Sequence, residues 1–395
     1  MTRFSIFGLF ALATAVANAL DCNVGKPTGS DDTPQILEAI EKCAVGGTVN
    51  IPAGDYTLGT PIEKEGLKDV VINIKGNLVF PATIEEQKKP KTRNWIWLEG
   101  TGVTINGGGT LDGNGQVWYD SQELDDRFAM LGLQLQDSSV SNLRLVQPCN
   151  NFFNVRESNN LNFTDLYLSA ESNDPEKPPH NTDGFDLTNC DTMYMANIEI
   201  HNQDDCIAYK NGTSHVTVEN VYCSGGHGFS VGSLGKDASF GYNTEISMTN
   251  MTCEGCWAVA QIKYYAAGST GEVSHFHCKD FKVKDVKIPV WVNSHYPCDV
   301  SEFTEDGGCK DYPGPSKIQV SDLSFEGFTG TTNGAYDNNV IIFDCPYGTN
   351  CQNIVVKDFD VTSPKGDPSY VCNNIDEGHL EGIDCEITQL AKPTW

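Results

Sequence analysis

The sequence predicts an all-β protein: a right-handed parallel β-helix, built as a single-domain solenoid and closed at its start by an N-terminal capping helix. Three observations carry this. A short unit recurs along most of the chain, its spacing has a floor but no fixed period, and one amphipathic segment precedes the first unit.

The unit reads Asp or Asn, apolar, any residue, apolar. It begins at Asn142, Asp165, Asn197, Asn220, Asn250, Asp280, Asp322 and Asp358, after a β-rich stretch each time. Alternation within it marks a strand with one buried face. Successive units lie 23, 32, 23, 30, 30, 42 and 36 residues apart. Irregular spacing above a floor of 23 suits a coil that always needs three short strands and accepts loops of variable length at its corners. A β-sandwich would not keep an Asp or Asn at the same place in every unit. The segment from Asp32 to Cys43 has apolar residues at helical spacing and an Asp-x-x-Gln start that resembles a capping box. A helix here would cover the first coil, whose strand edges a solenoid otherwise exposes. No Pro/Ser-rich linker divides the chain, so residues 20–395 are expected to form one domain.

Residues 1–19 read as a signal peptide: Arg3, an apolar run from Phe4 to Val16, then Ala17-Asn18-Ala19. The run is shorter than the ~20 residues of a membrane-spanning helix, and no later segment is long and apolar enough to span. Secretion is therefore expected, with no membrane partner. Fifteen cysteines agree with an oxidising compartment and disulfides. Asn162, Asn211 and Asn250 open N-glycosylation triplets. Cys253-Glu-Gly-Cys256 has a zinc-like spacing, but no second pair accompanies it, so no metal is expected there. The formal net charge of −27 excludes a general nucleic-acid or anionic-membrane binder, which needs a basic surface.

Four islands stand out: Asn181-Thr182-Asp183-Gly184, Asp204-Asp205, Gly226-His227-Gly228 and Gln261-Ile262-Lys263-Tyr264. Asp183 and Asp204 are 21 residues apart and Asp205 and His227 are 22 apart, each about one minimal coil; Lys263 follows His227 by 36, one coil with a longer loop. Positions one coil apart stack at ~4.8 Å, so the three aspartates and His227 are expected to converge on one face. Three carboxylates so close cannot all ionise cheaply. One then serves as general acid and the others as bases, the division of labour glycoside hydrolysis needs. Taken singly, Asp-Asp reads as a solvated turn, Gly-His-Gly as a tight turn, Asn-Thr-Asp-Gly as an Asx turn, and an aspartate cluster also suits calcium.

At these islands the chain resembles glycoside hydrolase family 28, whose pattern is Asn-Thr-Asp, Asp-Asp, Gly-His-Gly and Arg-Ile-Lys in that order. The resemblance runs from about Cys22 to the last cysteines. It implies a metal-free and cofactor-free inverting hydrolase of the galacturonic-acid backbone of pectin. By it, Asp204 is the general acid, Asp183 and Asp205 hold and activate water, and His227 sets the protonation of the acid. Asn181 shapes the site, and Lys263 and Tyr296 contact the adjoining sugar. Since pectin is a polyanion, the acidic chain is expected to work at acidic pH.

The fourth island departs from the family pattern, with Gln261 where polygalacturonases carry Arg. Gln cannot replace a charged fork that grips a uronate carboxylate. Together with Pro178-Pro179-His180, Ser233-Leu234-Gly235-Lys236 and the Cys298, Cys309 pair, this resembles the fungal xylogalacturonan hydrolase and exo-polygalacturonase branches. Xylogalacturonan is the first expectation and exo-cleavage of plain polygalacturonate the second; a calcium-dependent pectate lyase and a non-catalytic pectin-binding protein are more distant alternatives. A monomer is expected. The resemblance and short spacings suggest disulfides Cys22–Cys43, Cys206–Cys223, Cys298–Cys309, Cys345–Cys351 and Cys372–Cys385, leaving Cys149, Cys190, Cys253, Cys256 and Cys278 unassigned. Tyr264, Tyr265, Trp291 and Tyr296 are expected near the cleft, where they could stack on sugar rings; for Trp291, core packing is the equal alternative.

Overall fold

A computed structural model describes residues 20–388 apart from 89, 237–238, 267, 299–307, 347–350, 376–377 and 385; the expected signal peptide lies outside the described residues. Among the described residues, 28 strands join into one continuous ladder in which every strand pair is parallel. The chain winds as the predicted parallel β-helix, and three faces line its coils. The first face starts at Asp21–Asn23, Thr48–Ile51 and Val71–Ile74, and the second at Asp55–Thr57 and Asn77–Val79. The third starts at Ile62–Lys68 and Asn94–Thr101, and continues through Phe185–Thr188, Asp205–Tyr209, Gly228–Leu234, Ala258–Tyr265 and Ile288–Tyr296. From Ala129–Val146 onward, single long strands such as Asn159–Ser169 and Asp191–His201 supply both the first and second faces, bending between them.

The recurrent Asp or Asn makes that bend. All eight predicted positions have positive φ, between 50° and 58°. Asn and Asp tolerate this left-handed conformation better than other non-glycine residues, which is why the unit begins with them. In successive coils their side chains form a ladder: Asn197 donates to Asp165 (3.1 Å), Asn220 to Asn197 (3.2 Å) and Asn250 to Asn220 (2.6 Å). One unit belongs elsewhere. Asp322 is level with His275, at the corner before the first-face strand, whereas the residue level with Asp280 is Gly327. Both corners need positive φ; the earlier one takes Thr192, His215, Glu245 and His275 as well as Asp322, so an Asp there mimics the unit and the sequence pattern alone could not tell the two corners apart.

Inside the coils, like residues stack. Phe153 and Phe185 lie 4.7 Å apart with rings 1° from parallel, and Phe281, Phe328 and Phe359 continue the theme at 4.6 and 5.1 Å. Removing such a buried ring costs about 3–5 kcal/mol. The capping helix spans Thr33–Lys42 and buries Thr33, Ile36, Ala39 and Ile40 against the first coil. Its start is not a capping box. Gln35 does reach Asp32 (2.8 Å), but Asp32 makes no capping bond to the helix; its carboxylate accepts from Thr28 and from the Thr57 backbone N–H (3.0 Å). Burial raises the Asp32 pKa, yet these donors outweigh it and hold it below the usual value.

Four suggested disulfides are present: Cys22–Cys43, Cys206–Cys223, Cys298–Cys309 and Cys345–Cys351. Cys372 is also disulfide-bonded, while Cys385 lies outside the described residues. Cys253 and Cys256 pair with each other, so their spacing reflects a small covalent loop rather than half a zinc site. Cys149, Cys190 and Cys278 are buried thiols. Asn162, Asn211 and Asn250 are exposed. Among the described residues, no helix is long and apolar enough to cross a membrane.

Candidate active site

The islands meet where the second face turns into the third. Three backbone links fix their order: the Gly184 N–H donates to the Asp205 carbonyl (2.9 Å), the His227 N–H to the Asp204 carbonyl (2.8 Å), and the Trp257 N–H to the Gly226 carbonyl (2.8 Å). Buried Asn202, which the sequence reading did not single out, braces the turn by donating to the carbonyls of Thr182 (2.8 Å) and Asp205 (3.0 Å). The glycines around His227 are required by close approach. A Cβ on Gly226 would sit 2.2 Å from Asn202 Oδ1, and one on Gly228 2.0 Å from the Ala258 carbonyl oxygen. The Cys206–Cys223 disulfide ties the coil of the aspartate pair to the one that carries His227.

Asp204 receives three donors: His227 Nδ1 and the Asp205 N–H on Oδ1 (3.1 and 2.8 Å), and Asn181 Nδ2 on Oδ2 (3.2 Å). Burial pushes its pKa up, but the His227 ring, the Lys263 charge and the Asp205 N–H outweigh that and bring it down to about 2. Asp205 is almost fully buried, with both oxygens on Lys263 Nζ (3.0 and 2.8 Å) and Oδ1 also accepting from Ser230 (2.7 Å). Asp183 has the opposite character. Burial, then the charges of Asp186, Asp204 and Asp205, raise its pKa well above the carboxylate range, and Lys210 at 3.5 Å only partly opposes them. Neighbouring carboxyls are thus held in contrasting states, the condition for separate acid and base roles.

All eight predicted site residues belong to this neighbourhood. Lys263 is placed on Asp205, and burial, which disfavours its charge, is outweighed by that carboxylate. Its ammonium also lies 5.6 Å from the centre of the Tyr296 ring. Gln261 is buried beside Ser230, whose hydroxyl lies 3.3 Å from Gln261 Oε1. Tyr264 is not at the cleft: strand alternation turns it inward, and it is fully buried in the core. Tyr265 packs edge-on to Tyr296. Trp291 lies one strand beyond Gln261 in register and outside the main core.

Two cations escaped the sequence reading. Buried Arg127 donates to Asn181 Oδ1 (2.7 Å) and to the His180 carbonyl, orienting the amide that meets Asp204. Lys210 lies 3.0 Å from Asp186 and 3.5 Å from Asp183. Alternation gave a signal for Lys210, which follows the strand Asp205–Tyr209 in phase with outward Ala208, while Ile207 and Tyr209 face the core. Nothing local marks Arg127. Asp204, Asp205 and His227 bring one donor atom each within 4.8 Å of one another, a spacing that could hold a cation. The Lys263 ammonium already faces both Asp205 oxygens and competes for that role.

Comparisons with known proteins agree with this geometry. The family model for glycosyl hydrolases family 28 matches residues 43–381. Exopolygalacturonase rpg16 of Rhizopus delemar is 32% identical over 93% of this chain and 92% of that protein; exopolygalacturonase A of Aspergillus niger is 30% identical over 92% and 88%. Among solved structures, endo-xylogalacturonan hydrolase from Aspergillus tubingensis superposes with a TM-score of 0.82 at 29% identity, covering 93% of this chain and 100% of that one. The polygalacturonase from Erwinia carotovora, at 17% identity and a TM-score of 0.67, shares the fold. A parallel solenoid with contrasting carboxyls at one turn, and a family match spanning nearly its whole length, make this chain a glycosidase of glycosyl hydrolase family 28, a pectin-degrading hydrolase.

Proposed function

We propose that the protein is a secreted, monomeric, N-glycosylated hydrolase that cleaves the α-1,4-galacturonan backbone with inversion, and that its preferred backbone is xylose-substituted. Asp204 donates the proton to the leaving oxygen. Asp183 and Asp205 hold and activate the water, His227 and Asn181 set Asp204, and Lys263 and Tyr296 meet the adjoining sugar. Asp204 is strongly ionised without substrate. A bound polyuronate adds negative charge beside it and favours its protonated form, so the acid is generated in the complex.

The observation that carries the substrate is Gln261, an uncharged side chain where the family pattern has an Arg for the carboxylate. The full-length likeness to an endo-xylogalacturonan hydrolase supports it. The curated relatives favour a second reading, exo-cleavage of unsubstituted polygalacturonate. Profiling products from both polymers separates them: oligomers bearing xylose support the first, and release of galacturonic acid from the plain polymer alone supports the second. An unsaturated, ultraviolet-absorbing product from either polymer would refute hydrolysis.

The raised pKa of Asp183 favours the converse assignment of acid and base. α-Galacturonosyl fluoride decides it, because fluoride leaves without an acid. Asp204→Asn is expected to keep turnover of the fluoride while losing the polysaccharide, and Asp183→Asn to lose both. The reverse pattern would transfer the acid role to Asp183.

A further inference from the structure

Beside the aspartate cluster stands an aromatic wall that catalysis does not use. Trp257 is 39% exposed, the only tryptophan among the exposed large hydrophobic residues described. Its ring meets His227 edge-on, with centroids 4.9 Å apart and planes at 80°. Its indole N–H donates to the Tyr336 hydroxyl (2.9 Å), a contact across 79 residues of sequence. The Tyr336 ring packs in turn against Trp291, 5.8 Å away at 60°. Beneath lies a small apolar cluster of Ala258, Ile288 and Ile342, separate from the main core.

Three properties define what this wall can bind. It is continuous with the site, since Trp257 touches the histidine that holds Asp204, and Trp291 follows Gln261 by one strand. It is fixed in advance, because the polar edge of Trp257 is engaged by Tyr336 and ring carbon is what remains to contact a ligand. It is poor in charge: one ammonium, Lys287, lies over the Trp257 ring at 5.0 Å from the centroid, and Gln261 brings none. A uronate carboxylate demands charged donors, whereas the carbon-bound faces of a neutral pyranose stack on aromatic rings.

We propose that Trp257, Trp291 and Tyr336 form a subsite for a neutral pentose branch carried by the galacturonan backbone. This deepens the preference proposed above and rests on it. The wall receives the branch while the backbone lies over the aspartates, so a substituted unit gains contacts that a bare one lacks.

The test compares branched xylogalacturonan with the same polymer after its xylose is removed, reading kcat/KM from the release of reducing ends. For Trp257→Ala and Trp291→Ala, the loss on the branched polymer is expected to exceed the loss on the debranched one by about 3- to 10-fold, the range of one aromatic contact. Tyr336→Phe, which deletes only the hydroxyl partner of Trp257, should act in the same direction by a smaller factor. Equal losses on both polymers would reduce the wall to a support for His227 and overturn the proposal, as would an unchanged branched rate. A wild type that cuts only the debranched polymer would instead refute the substrate preference, and the branch subsite with it.

Discussion

One outward row of the third face passes through the site and changes chemistry on either side of it. In register the row runs Asn154, Asp186, Ala208, Ser230, Gln261, Trp291, Ile342. Before the aspartates it is polar: Asn154 donates to Asn94 (2.9 Å) and accepts from exposed Arg156 (3.0 Å), while Asn151 donates to Asp186 (3.0 Å). After them it is aromatic and aliphatic. Parallel strands in one continuous row support both flanks, so the difference concerns recognition rather than folding. The flank with an exposed guanidinium suits uronate carboxylates, and the flank with tryptophans suits neutral rings.

The largest expected effect is at the centre that both flanks share. Lys263→Met strips the buried Asp205 carboxylate of its counter-charge, and breaking such a pair typically costs about 3–5 kcal/mol. Urea unfolding should report that loss, and hydrolysis should fall on every substrate; a stable variant would show that the pair does not organise the site. Arg156→Ala probes the polar flank. A charged hydrogen bond of about 1.5–3 kcal/mol predicts roughly a 10- to 100-fold drop in kcat/KM on polygalacturonate, shrinking as added salt screens the wild-type contact. An unchanged rate would leave the two flanks undifferentiated.

Gln261→Arg inverts the comparison by restoring a carboxylate fork between the flanks. The ratio of kcat/KM for plain over substituted polymer should rise about tenfold, corresponding to ~1.4 kcal/mol at the low end of such contacts. The smallest effects are those of pH on stability. The raised Asp183 pKa means that the unfolded chain loses this proton first as pH rises above 3.8, so native Asp183 costs stability from there upward. Asp183→Asn should stabilise the fold near neutrality, with the gain vanishing below about pH 4. Asp204 has the opposite sign. Its contribution is present above 3.8 and is lost as pH falls toward about 2, so Asp204→Asn should destabilise at neutrality. Unfolding midpoints across this range would show whether neighbouring carboxyls oppose one another as described.

Most of the fold was legible because a solenoid repeats one physical requirement. The bend between the first and second faces needs positive φ, and the sequence writes it as Asp, Asn or Gly. The same economy misled at Asp322, since two corners share the requirement. The site's backbone was legible for a related reason: islands one coil apart must stack. Its side-chain partners were not. Arg127 meets Asn181 across 54 residues, and Tyr336 meets Trp257 across 79, distances at which inserted loops erase any periodic trace. Lys263 was found as a sugar contact, and the geometry adds its pairing with Asp205. Cys253 and Cys256 were unassignable because a separation of three residues suits a metal as well as a disulfide.

The Asp and Asn ladder along the bend also gives the molecule a mechanical grain. Each rung answers only to the coils above and below it, as in other repeat architectures. A pull along the helix axis loads one rung at a time and peels coils from an end, like opening a zip. A pull across the axis loads many rungs together, in shear. The turn that holds the aspartate cluster lies in mid-stack, with coils on both sides, so it would be among the last parts to give way when either end is drawn out.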